Sequence, residues 1–366
     1  MREQIKQKAI ELGFHKVSFQ SAVPLTSWDN DIKLRQTLDP STADYWESRG
    51  LTSDSSTIMP EAKTIITAVY PYPPFSQDIS QGQGRYSAHY QAYHKGRETM
   101  KKLGAILASK GYDVLIDHPI PAKRLAFQSD LGRYGKNGLI YHPEFGSFIT
   151  LHTIITNAKL EFDPFEFGTI DTAEISDCGS CRRCIDICPT QAIADDGVIL
   201  ISKCLRFHMG SSDIIPIDIR EKIGNRMLGC EECQLVCPKN IKLLHNKESV
   251  EKCQEIYNIK AILASAKTGL KKLMNPIAQT VGNNYARPQK VLSMAVIVAG
   301  NSEDQSYVPL LAKTLQYPSE VIRAHSAWAI GKLGGEEAKT VLTDAQSRES
   351  NLAVLKEIKL ALALDC

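Results

Sequence analysis

Near the start of the chain, apolar residues recur at helical spacing, with Ile5, Ala9, Ile10 and Leu12 on one face, before the pattern shortens to the strand-like Lys16-Val17-Ser18-Phe19. Residues 24–60 are polar and irregular, and no element is read there. Thr64-Ile65-Ile66-Thr67-Ala68-Val69-Tyr70 is a β-rich apolar run closed by Pro71, Pro73 and Pro74, which predicts a buried strand entering a loop. Helical spacing returns over residues 91–110 and ends at Gly111, and Tyr112-Asp113-Val114-Leu115-Ile116 predicts the next strand. A short helix over 123–131 and strands around 138–142 and 148–156 follow. This alternation predicts an α/β domain with helices on a central sheet over residues 1–170.

After residue 250 the pattern is helical alone. It predicts one pair of helices over 286–299 and 306–316, a second over 319–333 and 336–346, and a last helix over 350–364. The phrase Val321-Ile322-Arg323-Ala324-His325-Ser326-Ala327-Trp328-Ala329-Ile330-Gly331-Lys332-Leu333-Gly334 reads as a HEAT-type helical repeat. Two such repeats bury little core by themselves and are expected to pack on what precedes them.

Between these regions, residues 171–245 carry eight of the chain's ten cysteines. The first run, Cys178-Gly-Ser-Cys181-Arg-Arg-Cys184-Ile-Asp-Ile-Cys188-Pro189, has the bacterial spacing Cys-x2-Cys-x2-Cys-x3-Cys-Pro. In that spacing three close thiolates cap one iron–sulfur cube and the fourth reaches to the other. The second run is a stretched copy, with Cys204 standing 26 residues before an intact Cys230-x2-Cys233-x3-Cys237-Pro238 end. Crossed ligation assigns Cys178, Cys181, Cys184 and Cys237 to one [4Fe–4S] cluster, and Cys188, Cys204, Cys230 and Cys233 to a second. Structural zinc wants two tetrahedral sets of four thiolates, for which these tight, proline-terminated runs are poorly spaced. Disulfides need an oxidising compartment, whereas residues 1–14 read as an amphipathic helix and not as an apolar leader, so a cytoplasmic location is expected. Cys253 and Cys366 have no partners at cluster spacing and read as ordinary thiols. With many ligands and little apolar surface, the cluster segment is expected to need its metal to fold.

Composition narrows the class without naming a partner. The 366 residues allow two or three domains, and 43% apolar with 23% charged residues describes a globular protein with a sizeable core. No stretch approaches the roughly 18 apolar residues of a membrane span, so no membrane attachment is expected. A net charge of +2 means that any contact with a polyanion is local. Gly82-x-Gly84 lacks the third glycine and the strand-to-helix setting of a dinucleotide fingerprint, which leaves nicotinamide cofactors unsupported.

The order of α/β domain, double-cluster insert and helical repeat pair resembles the epoxyqueuosine reductase family over nearly the whole chain. The landmarks that carry the resemblance are Arg85-Tyr86-Ser87 running on to Tyr93-His94, Tyr134-Gly135-Lys136-Asn137-Gly138-Leu139, Phe145-Gly146-Ser147-Phe148, Ile223-Gly224-Asn225-Arg226, and Arg323-Ala324-His325-Ser326-Ala327-Trp328-Ala329. The resemblance implies an α/β cobalamin-binding domain over 1–170, a ferredoxin-like insert with two [4Fe–4S] clusters over 171–245, and an all-α HEAT-like repeat pair over 246–366. It further implies an enzyme that reduces epoxyqueuosine to queuosine in the anticodon stem-loop of tRNA. In that scheme cobalamin faces one cluster, the other cluster takes electrons from an external low-potential donor such as a ferredoxin or flavodoxin, and the helical pair grips the tRNA. A monomer is expected. In the family, the positions of Tyr86, Ser87, Ile140 and His142 line the cobalamin pocket, and Asp117 is the nearest candidate for the proton-donating acid beside the corrin.

Removing an epoxide oxygen takes a strong one-electron reductant used twice and a proton for the departing oxygen. The chain departs from the family pattern in the run His118-Pro119-Ile120-Pro121, at Ala92 where an Asp is usual, and at Ser53-Asp54-Ser55-Ser56 where Arg-x-Asp-Pro is usual. Taken by itself, Asp117 reads equally as a strand-end solvated carboxylate, and His118 and His142 as ordinary surface or core histidines. Arg287, Lys290, Arg323, His325 and Lys332, with Lys271 and Lys272 just before them, form either a phosphate-binding group or a solvated face. Two other functions stay open. One is a paralogous reductase using the same cofactors on a small molecule, and the other is a ferredoxin-like electron carrier with no catalysis of its own.

Overall fold

The computed structural model describes residues 1–48, 50–76, 78–164, 178–246 and 250–363. The chain divides into two compact units built from interleaved segments. Met1–Pro74, Gln91–Cys204 and Glu231–Glu251 form the first, and Phe75–Tyr90, Leu205–Cys230 and Lys252–Cys366 the second. The expected boundary at residue 170 and the thiol of Cys366 lie outside the described residues, and the cysteine-bearing segment contributes to both units.

Four strands form the sheet of the first unit, in the order Lys16–Ser21, Thr64–Pro71, Ile149–Thr156, Val114–Ile116, each neighbour antiparallel to the next. The two central strands read Thr-Ile-Ile-Thr-Ala-Val-Tyr-Pro and Ile-Thr-Leu-His-Thr-Ile-Ile-Thr. Their β-branched side chains are stiff at χ1 and suit a pleated surface covered on both faces. Residues of alternating parity supply two cores. Ile66 and Ile154 face Phe14, Phe19 and the Met100, Leu103 and Leu107 stripe of the long helix Ala88–Ala108. Ile65 and Ile155 face Leu25, Met59, Ile120 and Leu125, the last on the short helix Ala122–Gln128. The long helix approaches the edge strand closely at Gly104, where an added Cβ would meet Ile116 Cδ1 at 2.9 Å.

Most predicted elements recur within a few residues, but residues 24–60, where the sequence shows no regular period, are largely helical. They hold the helices Thr26–Leu38 and Ala43–Ser48 and the short turns Pro40–Thr42 and Ser55–Thr57. Neither helix has a fully buried residue among those described, so no apolar stripe marks a helical period in the sequence.

The second unit is largely helical, with Ile259–Ala264 and Leu270–Val281 preceding Pro288–Gly300, Val308–Thr314, Glu320–Leu333, Glu336–Arg348 and Leu352–Leu362. Its central helix, Glu320–Leu333, packs on both Pro288–Gly300 and Leu352–Leu362 and is buried on nearly all sides. Glycine makes this possible. A Cβ on Gly331 would meet Ala361 Cα at 2.7 Å, and one on Gly300 would meet Ala329 Cα at 2.8 Å. The small residues of the repeat phrase are thus what lets these helices touch backbone to backbone.

Two buried polar groups fix the helices of this unit. The Arg220 guanidinium is fully buried and donates to both carboxylate oxygens of Glu357 at 2.8 Å, the planar fork that arginine offers a carboxylate. His325 is fully buried too. Its Nε2 accepts the Ile215 amide at 3.0 Å, which leaves the proton on Nδ1 to be donated to Ser293 Oγ at 2.9 Å. Burial first, and then the Arg220 charge, push His325 down from 6.5 to about 3. The unfolded chain therefore takes up this proton before the folded one. The contribution to stability is complete above about 6.5 and is lost as pH falls toward about 3. We expect the urea midpoint of the second unit's unfolding to fall between pH 7 and pH 5.5, with a slope below 6.5 approaching about 1.4 kcal/mol per pH unit. His325→Gln should flatten that slope, and an equal slope in the variant would show that other groups set it.

Candidate metal centre

The first four predicted thiols all lie in the first unit, where they line one cavity of about 230 Å³. Cys178 and Cys181 sit on a turn closed by the Cys181 amide donating to the Cys178 carbonyl at 3.0 Å, with Gly179 at φ +52°. Cys184 lies on the one-turn helix Arg183–Asp186, and Cys237 follows the similar helix Glu232–Leu235. These two short helices lie against each other, so the sequence-distant Cys237 comes to the thiols of the first run. Pro238 stops the second helix and starts the turn Pro238–Asn240.

The thiols sense one another electrostatically. Burial pushes the Cys184 thiol up to about 11, and the charges of Cys178, Cys237 and Cys181 add to that rise. Burial likewise raises Cys237, with Cys178 and Cys181 contributing in the same direction, while hydrogen bonding and charge from Lys239 oppose it. Four sulfurs that repel one another when ionised need a cationic occupant to hold them as thiolates together. Among the described residues, no three His, Cys, Asp or Glu side chains gather as one metal ion would need. The four thiols instead surround a shared space, and this all-sulfur donor set fits a [4Fe–4S] cube.

Polar side chains that the sequence reading left without a role hold this arrangement. Lys136 Nζ donates to the Gly179 carbonyl at 2.7 Å and to that of Cys181 at 3.3 Å. Asn240, fully buried, donates to Ser147 Oγ at 2.9 Å and to the Gln234 carbonyl at 2.7 Å, and it accepts the Ser147 amide at 2.8 Å. Gly146 admits that clamp, because any Cβ there would run into Asn240 Oδ1 and would meet the Lys239 carbonyl at 2.8 Å. The Phe145-Gly146-Ser147-Phe148 and Tyr134-Gly135-Lys136-Asn137-Gly138 landmarks are therefore the supports of the first thiol set. Their turn-like glycines were the available signal.

Of the second set, Cys188, Cys204 and Cys233 lie in the first unit, and Cys230 ends the second unit's segment Leu205–Cys230. Cys188 Sγ accepts the Ala192 amide at 3.2 Å. Cys204 follows the turn Ile201–Lys203, whose Ser202 amide donates to the mostly buried Asp39 carboxylate at 2.9 Å. The Asn137 side chain donates to the Cys233 carbonyl at 3.4 Å. Cys253 is buried, away from both runs in sequence.

Asp117 is not the solvated strand-end carboxylate that its position suggested. Its side chain is 3% exposed; Oδ2 lies 2.8 Å from His152 Nδ1, and Oδ1 accepts the Thr153 amide at 2.9 Å. His152 Nε2 in turn reaches Thr150 Oγ1 at 2.9 Å, and its ring lies 5.0 Å from that of Tyr93. The backbone at Asp117 sits at φ +48°, a left-handed conformation that few residues other than Gly, Asn and Asp adopt. Asp117 does not line the thiol cavity, nor do Ile140 and His142. Ile140 packs in a core with Val69, Ala126, Leu131 and Ile149. The His142 ring lies against His15 at 4.8 Å and Phe145 at 5.4 Å, and burial lowers its pKa, with the His15 and Lys16 charges adding to the effect. In the second unit, Tyr86 is buried against Phe75 and Tyr257, and the Ser87 amide donates to the Leu228 carbonyl at 2.9 Å.

The basic residues of the helical region separate into two groups. Arg323 is spent on the Glu349 carboxylate at 2.7 Å and on the Tyr317 and Pro318 carbonyls at 3.0 Å, and His325 is buried. These two are structural, because the tight helix packing turns them inward, and they are withdrawn as phosphate contacts. Lys290 donates to the Gly210 carbonyl, while Lys271, Lys272, Arg287 and Lys332 remain exposed.

Known proteins place this geometry. Residues 177–240 match the 4Fe-4S double cluster binding domain, and residues 284–363 match HEAT repeats. The chain is 30% identical to the epoxyqueuosine reductase of Vibrio cholerae, covering 90% of this chain and 91% of that one. It is 29% identical to that of Bacillus cereus, covering 99% and 98%. A structure of epoxyqueuosine reductase from Bacillus subtilis, with its catalytic aspartate loop swung out of the active site, superposes with a TM-score of 0.82 at 26% identity, over 100% of this chain and 99% of that one. An epoxyqueuosine reductase bound to an epoxyqueuosine-modified tyrosine tRNA stem loop superposes with a TM-score of 0.80 at 26% identity, over 99% and 98%.

Proposed function

The chain belongs to the epoxyqueuosine reductase family, and from that premise we propose that it reduces epoxyqueuosine to queuosine in the anticodon stem-loop of tRNA. The near full-length match to the Vibrio cholerae enzyme carries this reading, and the four thiols around one cavity support its redox half. The reaction removes the epoxide oxygen as water and consumes two electrons and two protons. When bound, two [4Fe–4S] clusters supply the electrons one at a time, drawn from an external low-potential donor such as a ferredoxin or flavodoxin. Cys178, Cys181, Cys184 and Cys237 hold the first cluster, and Cys188, Cys204, Cys230 and Cys233 the second.

Asp117 delivers a proton to the departing oxygen in this proposal. Its carboxylate is paired with His152, and in this proposal it leaves that partner to reach the substrate. Of the basic residues singled out in the sequence, exposed Lys271, Lys272, Arg287 and Lys332, the last also 3.5 Å from Glu221 Oε1, would meet tRNA phosphates, where binding weakens steeply with salt.

Cobalamin enters from the resemblance alone. The resemblance gives Tyr86, Ser87, Asp117, Ile140 and His142 as the residues that would line its pocket, and no step is assigned to it. The absorption spectrum of anaerobically purified protein reports both cofactors at once. Among the described residues, no helix is long and apolar enough to cross a membrane. A tRNA substrate is what supports a cytoplasmic location, and we propose a monomer.

A strain lacking this gene should accumulate epoxyqueuosine in place of queuosine in its tRNA, as read by mass spectrometry of digested nucleosides. Unchanged queuosine would overturn the reading in favour of a reductase acting on a small molecule. Failure of the purified protein to take up offered corrin, together with unchanged queuosine, would favour an electron carrier.

A further inference from the structure

We propose that Lys136 positions the first cluster's turn and sets that cluster's reduction potential, its ammonium favouring the reduced, more negative state. The inference rests on the assignment of a cube to Cys178, Cys181, Cys184 and Cys237.

Lys136 is held from both sides. Behind it, the Gly135 amide donates to the Leu139 carbonyl at 2.8 Å and the Gly138 amide to the Gly135 carbonyl at 2.8 Å, closing a tight loop. In front, Nζ donates to the Gly179 and Cys181 carbonyls, the turn that carries two of the four thiols. The side chain is half-buried and lines the same cavity as all four sulfurs, and no carboxylate is among that cavity's lining residues. A cube gains a negative charge when it accepts an electron. A fixed cation beside it therefore stabilises the reduced form more than the oxidised one, and net charge and hydrogen bonding around the sulfurs are what tune such potentials.

Two other cations line the cavity: Arg183, which is exposed, and Lys239, which is half-buried like Lys136. The Lys239 ammonium sits 4.2 Å from the centroid of the Tyr141 ring. Dissolved salt screens exposed charges far more than half-buried ones, so Lys136 and Arg183 differ in an observable way: the influence of Lys136 should survive high ionic strength and that of Arg183 should not.

The test is a potentiometric titration of the anaerobically purified full-length protein, followed by electron paramagnetic resonance, for Lys136→Gln, Lys136→Arg and Arg183→Gln. In Lys136→Gln we expect iron to be retained and one of the two midpoint potentials to fall. At the wild-type midpoint, the ratio of reduced to oxidised cube should fall tenfold, about 59 mV for one electron. The shift should persist in high salt and be largely restored in Lys136→Arg, whereas Arg183→Gln should shift less and only in low salt. A purely structural lysine would lower iron retention without moving the potential. Should Lys136→Gln emerge depleted in iron, the titration after reconstitution with iron and sulfide decides: a refilled cube at the wild-type midpoint overturns the proposal, and a lowered midpoint supports it. Wild-type protein without [4Fe–4S] iron overturns instead the cluster assignment beneath it.

Discussion

Replacing Cys237 by serine is expected to remove about half of the protein's iron and leave the spectrum of a single cube. The reason is geometric. Cys237 lines the cavity of Cys178, Cys181 and Cys184, although at least 53 residues of chain separate it from them. Its charge is felt at Cys184, as those of Cys178 and Cys181 are felt at Cys237. A ligation scheme that kept each run to itself would pair Cys237 with Cys230 and Cys233 instead, and the serine variant would then spoil the other cube. Replacing Cys184 separates the two schemes. If the crossed arrangement holds, Cys184→Ser and Cys237→Ser lose the same spectral component, and the double variant loses no more than either alone. Unaltered iron in Cys237→Ser, or additive losses in the double variant, would contradict the pairing.

Asp117→Asn is expected to abolish turnover, by about a hundredfold or more for loss of a general acid, while both cubes stay in place. Asparagine suits the test because it tolerates the left-handed backbone found at φ +48° and so separates chemistry from strain. Its oxygen can still accept the Thr153 amide, but its amide group faces His152 Nδ1 in place of a carboxylate oxygen. Disturbing that buried pair should cost about 1–3 kcal/mol of stability. Single-turnover rates measured well below the unfolding midpoint, alongside the melting temperature, keep the two effects apart. Wild-type rates in a destabilised Asp117→Asn would make the carboxylate a structural partner of His152 and move the proton donor elsewhere.

The first cluster's surroundings show how far local pattern reaches. The Cys-x2-Cys-x2-Cys run is readable because chain length between ligands limits which inorganic group they can share. The glycines at 135, 138 and 146 were visible as landmarks. What they admit was not, since Gly146 is required by Asn240, 94 residues later in the chain, and by the backbone carbonyl beside it. The opposite case is residues 24–60, where two helices with no fully buried residue among those described carry no apolar stripe, and the sequence offered no period to detect.

By itself the chain's text determined the metal chemistry, the buried strand Thr64–Pro71 and the helical repeat phrase, because ligand spacing, β-branched runs and small-residue periodicity are constraints between near neighbours. Tertiary structure alone decided which way the isolated polar groups turn. Asp117 meets His152 35 residues on, Ser147 meets Asn240 93 residues on, and Arg220 meets Glu357 137 residues on. Each of these groups is solvated in an extended chain, and each becomes a buried partner only when packing elsewhere removes water and leaves one acceptor or donor within reach.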